Sequence, residues 1–167
     1  MSKRIAAGAG AGLVAGLIFA IVMRALPATA ADGSRLSMIA WTARLIDAGS
    51  PLAGWLAYVA YAVVLGALFG AVVFAQRMSG LRAALLGGVW GLGWFVVVGL
   101  GAIPVRLGSW PFSPTALGQL GSNIGVPLLI GHIAYGLILG LGFRSILAAL
   151  ATPGSSGGAQ PGVRRAA

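Results

Sequence analysis

Four stretches without a single charged side chain, residues 5–23, 48–76, 83–105 and 107–143, take up most of this chain. A helix rises about 1.5 Å per residue and the hydrocarbon core of a bilayer is about 30 Å thick, so each stretch can cross it. Only 8% of the residues are charged, where an ordinary soluble domain has about 25%. The pattern excludes a soluble globular fold. It predicts an all-α membrane protein with four transmembrane helices, over 5–26, 52–76, 83–103 and 123–143. These form one domain across 1–150, with a short peripheral helix over 35–47. Residues 151–167, rich in Pro, Gly and Ser and ending in Arg164-Arg165, read as a disordered basic tail.

Local punctuation supports these limits. Ser50-Pro51 opens the second helix, Arg77-Met78-Ser79-Gly80 turns into the third, and Pro104 is expected to stop it. Trp110 and Phe112 suit the membrane interface, and Pro127 is tolerated in the first turns of the fourth helix. The basic start, Lys3-Arg4, and the small residues Ala28-Thr29-Ala30 have the outline of a signal peptide. The uncharged stretch between them exceeds the 7–15 residues of such a segment, and Arg24 interrupts the approach to the cleavage site. The segment is therefore read as the first span.

Charge placement sets the orientation. Lys3, Arg4, Arg77, Arg82, Arg144, Arg164 and Arg165 fall on one side of a four-helix protein, and Arg24, Arg35, Arg44 and Arg106 on the other. The positive-inside rule puts both termini in the cytoplasm, and the Ala, Gly and Arg bias suggests a bacterial inner membrane. The formal net charge of +9 belongs to helix ends, which face anionic lipid on the cytoplasmic side. It is not a nucleic-acid surface.

Chemistry is limited just as sharply. The only acids are Asp32 and Asp47, there is one His, and there is no Cys. Paired-carboxylate catalysis, thiol chemistry and a multi-residue metal cage are excluded. Ser122 and His132 share a segment, but ten helical residues part them by about 15 Å, beyond hydrogen-bonding reach. No enzyme is expected. A haem held by His132 and Met23 is conceivable, yet no spacing asks for it, and no cofactor is expected.

The two halves resemble each other. Residues 60–69 align with 134–143 through Ala60/Ala134, Tyr61/Tyr135, Leu65/Leu139, Gly66/Gly140 and Phe69/Phe143. Arg4, Gly16 and Pro27 match Arg82, Gly93 and Pro104 less closely. A tandem duplication of a two-helix hairpin follows, with its pseudo-two-fold axis along the membrane normal. In this alignment Tyr58 matches His132. Tyr58, Tyr61, His132 and Tyr135, the only His and all three Tyr, thus form a candidate intramembrane polar cluster. Its expected place is close to mid-membrane. It serves either as interhelical hydrogen-bonding glue or as a functional site.

Small residues recur at four-residue spacing, at Gly8/Gly12/Gly16, Gly66/Gly70, Gly87/Gly91 and Gly136/Gly140. Lipid provides no water-driven gain between helices, so close backbone approach, which Gly permits, has to hold them together. Gly8/Gly12/Gly16 is also the best candidate for contact with a second copy. Trp90 and Trp94, one turn apart, read as rings laid over a neighbour's Gly groove or as a stacking platform.

On several of these motifs the chain resembles a family of small bacterial four-helix integral membrane proteins without an assigned function. The motifs are the Gly-rich first helix with Met23, Gly49-Ser50-Pro51 before Gly54-Trp55, Gly66 to Gly70, Gly91 to Trp94, and Gly131-His132-Ile133-Ala134-Tyr135-Gly136. The likeness spans about residues 5–145 and implies the four-helix, duplicated fold but no activity. Relatives often have His at the position of Tyr58, so a two-His role does not carry over. The chemistry points to a non-catalytic accessory, assembly or scaffold protein in the bilayer, alone, as a homo-oligomer or with a partner membrane subunit. The alternative is an oligomeric channel or transporter for a small neutral solute.

Overall fold

The computed structural model of the protein describes residues 1–25, 27–29, 35–73, 78–107, 110–112 and 125–151. Leu26, Ala30, Asp32, Arg77, Ser122 and the tail beyond Ala151 lie outside the described residues. Four helices are long and apolar enough to cross a membrane: Ser2–Ala25, Pro51–Val72, Gly80–Arg106 and Gly125–Ala151. Their outer faces stay apolar, with Ile21, Leu56, Val89 and Ile130 all exposed. Helices apolar on every side belong in lipid.

The first helix, α1, covers Ser2–Ala25. An antiparallel ribbon follows, β1 (Pro27–Thr29) against β2 (Arg35–Ser37), in the register Ala28 to Leu36. The ribbon shortens the expected peripheral helix to α2, Met38–Leu45. That helix closes by bonds from Asp47 N to Arg44 O (3.2 Å) and from Ala48 N to Ala43 O (2.8 Å). This is a Schellman closure, with Asp47 at φ 53° in the left-handed place usually taken by Gly. The Asp47 carboxylate pairs with Arg106, whose Nε also donates to the Leu45 carbonyl. Gly54 lets α3 approach the backbone of Ala43, so α2 lies flat on that helix.

Helix α3, Pro51–Val72, starts with Pro51 in its first turn and the Ser50 side chain accepting from Ala53 N at 3.2 Å. It ends four residues earlier than expected, where the β-branched Val72-Val73 pair favours extended backbone. Helix α4, Gly80–Phe95, starts earlier than expected because Ser79 caps it through Arg82 N. Pro104 does not stop this span. The backbone widens into a π segment, Val96–Ala102, and continues as α5, Ile103–Leu107. Ile103 N bonds back five residues to Val98 O, so the turn that receives the proline ring is already open. The last helix, α6, runs over Gly125–Ala151, past the expected end at 143. Arg144 does not break it. Its Nε donates to Met78 O at 2.9 Å, while the Leu147–Ala151 stretch is made of strong helix formers.

The helices form a ring in the order α3, α1, α6, α4. A Cβ on Gly66 would overlap the Gly8 carbonyl and crowd the Gly12 Cα. A Cβ on Gly140 would meet the Ala83 carbonyl and the Gly87 Cα in the same way. Gly12 faces Ala62 and Gly66, just as Gly87 faces Gly136 and Gly140. The α1–α3 and α4–α6 pairs therefore share one packing register, with Gly8, Gly12 and Gly16 corresponding to Ala83, Gly87 and Gly91. This shifts the sequence match of Arg4 to Arg82 by three residues and that of Gly16 to Gly93 by two. The Gly8/Gly12/Gly16 stripe is filled by α3 of the same chain, which removes it as a face for a second copy.

The remaining two interfaces differ. Helix α1 lies close to α6, with Ala11 against Gly142 and the Phe19 ring on Gly131. Helices α3 and α4 stand further apart and are bridged by rings. Trp90 meets Phe69 edge-on at 5.8 Å and Trp94 meets Tyr61 at 6.3 Å. These tryptophans reach across to α3; the glycine groove belongs to α6.

Candidate functional site

Tyr58, Tyr61, His132 and Tyr135 come together around one cavity of about 200 Å³. Its walls come from α1 (Phe19, Met23), α3 (Tyr58, Tyr61, Leu65), the π segment with Ile103, and α6 (Leu128, His132, Tyr135). Thr42, Leu45 and Ile46 of α2 close one end. No charged residue is among those that line it. His132 lies seven positions after Gly125, about 10 Å along the helix axis. That is nearer the α2 end than the expected mid-membrane position, because α6 continues to Ala151.

Each polar side chain has a distinct environment. His132 Nδ1 lies 2.8 Å from the carbonyl of Leu128, one turn earlier on its helix. A carbonyl oxygen only accepts, so Nδ1 carries the hydrogen, and in the neutral ring Nε2 is an acceptor with no hydrogen bond among the described residues. Phe95 meets the imidazole edge-on at 5.9 Å and fixes its plane. The Tyr135 hydroxyl donates to Ala62 O at 2.7 Å, joining α6 to α3 across the bundle. Ala62 O also faces Gly12 of α1, so this carbonyl sits where three helices meet. Tyr61 has its hydroxyl buried without a partner. Tyr58 is 8% exposed, leans on Phe19 at 6.3 Å between ring centroids, and makes no hydrogen bond among the described residues.

The cluster therefore divides. Tyr135 is structural glue, while Tyr58, Tyr61 and His132 line the cavity with a polar atom that no hydrogen bond among the described residues occupies. On the side away from α2, Phe69, Leu139 and Phe143 are fully buried, and the two phenylalanine rings meet edge-on at 5.4 Å. They fill the interior there. Met23 and His132, the pair weighed for haem, both line the cavity. Its volume is somewhat above the roughly 150 Å³ of a cavity that takes benzene. No group of three or more His, Cys, Asp or Glu occurs among the described residues.

The sequence missed two walls of this site. The α2 lid carries no motif, and the π segment was hidden behind the expected stop at Pro104. Gly99 and Gly101 just before that proline were the available signal, since a widened turn beside Pro needs room. No protein-family model, curated protein or solved structure matches the chain.

Proposed function

We propose that this is a non-catalytic, multi-pass protein of the bacterial inner membrane that holds a small, neutral, mostly apolar molecule between its helices. One observation carries the reading: a cavity between the helices whose polar groups, apart from the Tyr135 hydroxyl bonded to Ala62 O, are the hydroxyls of Thr42, Tyr58 and Tyr61 and an imidazole nitrogen, with no charged group among its described lining residues. Holding is favoured over passage because Phe69 and Phe143 fill the interior beyond the cavity. An accessory role, presenting the molecule to a partner membrane subunit, suits a chain so poor in reactive groups.

Three further parts belong to the proposal. The two helix pairs are copies of one hairpin, which their common packing register supports. Both termini face the cytoplasm, which the arginine distribution supports. The chain is one of the small bacterial four-helix membrane proteins that it resembles in its glycine motifs and the segment around His132. The test is native mass spectrometry of the full chain released from mild detergent. A small-molecule adduct is expected, and Ala57→Phe, which fills the cavity from α3, removes it. A bare chain from both proteins would count against the reading.

A further inference from the structure

We infer that the cavity is built for a single-ring molecule carrying a hydroxyl group, of the phenol or cyclic-alcohol class. The inference rests on the holding function proposed above and names what is held. Size comes first. About 200 Å³ slightly exceeds the roughly 150 Å³ in which an apolar protein cavity takes up benzene. One ring with a small substituent fits within it.

Polarity then selects the substituent. The walls are aromatic and aliphatic, so most of the ligand is apolar. His132 Nε2 is left as a bare acceptor because Nδ1 is committed to the Leu128 carbonyl. The Tyr58 hydroxyl, also without a hydrogen bond among the described residues, can donate, and the Tyr61 and Thr42 hydroxyls line the same cavity. A ligand hydroxyl answers both at once, donating its hydrogen to Nε2 while its oxygen accepts from Tyr58. A ketone satisfies Tyr58 alone, and a hydrocarbon satisfies neither. A carboxylate or an ammonium group meets no counter-charge among the described residues of these walls and is disfavoured by the cost of burying an unpaired ion. The site is also held rigid. Phe95 stands edge-on to the imidazole and Phe19 leans on the Tyr58 ring, so both polar atoms are positioned before the ligand arrives.

Because the chain has a single His, its imidazole nitrogens can be observed individually. The full chain, purified in mild detergent without a histidine tag and labelled with 15N-histidine, is titrated with phenol and, separately, with toluene. Phenol is expected to shift the Nε2 resonance saturably and to bind about ten-fold tighter than toluene at equal concentration in the micelle. Tyr58→Phe is expected to cut that preference to about three-fold and to leave toluene binding unchanged. Phenol binding no tighter than toluene, with Nε2 unmoved, would overturn the hydroxyl class while the holding function stood. Binding of neither probe would overturn both.

Discussion

Replacing Gly87 by Ala tests what holds α4 to α6. In water such a substitution mid-helix gains about 1 kcal/mol from helix propensity. Here the added methyl would overlap the Gly136 carbonyl oxygen and lie 2.9 Å from Gly140 N. Backbone cannot swing aside as a side chain can, so the two helices have to separate by about 1 Å. A gap of that size forfeits a quarter to a half of each atom pair's attraction of roughly 0.1–0.2 kcal/mol. Over roughly 40 facing atom pairs the loss is about 1–4 kcal/mol. Lipid returns nothing, since no water-driven gain operates between membrane helices. After the propensity gain, the net destabilisation is up to about 3 kcal/mol. Gly93 provides the control, because a Cβ there meets nothing within 4 Å. Gly93→Ala should be neutral or stabilising by up to about 1 kcal/mol. Gly12→Ala, which occupies the Gly87 place in the α1–α3 pair, should cost the same as Gly87→Ala. Reversible unfolding in mixed micelles of rising dodecyl sulfate content, followed by circular dichroism, gives all three values. Equal stability of Gly87→Ala and Gly93→Ala would refute close backbone approach as the main attraction.

The other predictions use the same unfolding assay or the cysteine-free background. Tyr135→Phe should cost about 0.6–2 kcal/mol through loss of the bond to Ala62 O, whereas Tyr61→Phe should be neutral or stabilising because its buried hydroxyl has no partner to lose. Arg106→Ala should change global stability by less than about 1 kcal/mol, since the Arg106–Asp47 pair is exposed. It should still speed proteolysis around Asp47 by freeing the end of α2; unchanged cleavage would remove Arg106 as the tether. With no native Cys, Asp47→Cys should react with a membrane-impermeant maleimide in intact cells made permeable only at the outer membrane. Met78→Cys should react only after the inner membrane is opened, and the reverse pattern would invert the assigned orientation.

What the sequence made legible follows from which signals survive in lipid. The absence of charge marks the four spans directly, because an ion inside the bilayer core is costly wherever it falls. Pairing Tyr58 with His132 through the match of residues 60–69 to 134–143 led to the cavity. Register between helices was less accessible. A Gly-rich stripe looks similar when slid by a few residues, so the sequence matches Gly16 to Gly93 where packing makes Gly91 its counterpart. Contacts decide such a choice, and Gly66 on Gly8 beside Gly140 on Ala83 decides this one. The π segment was illegible for a related reason: the widening at Val96–Ala102 is set by where hydrogen bonds go, and propensity does not encode it. Most of all, the likeness of the halves hid the difference that matters. At matching positions α1 has Ala11 and Ala15 where α4 has Leu86 and Trp90, and α6 has Gly142 where α3 has Leu68. Small residues on both sides let α1 and α6 close up. On the opposite side Leu68 and Leu86 turn outward, 42% and 43% exposed, and Trp90 and Trp94 prop α3 away from α4. The cavity lies where that separation continues into the π segment, between Tyr58 and Val98. Two packing-equivalent hairpins thus leave an interior space because their side-chain volumes are unequal across the ring, and a Trp90→Ala, Trp94→Ala double variant should close it.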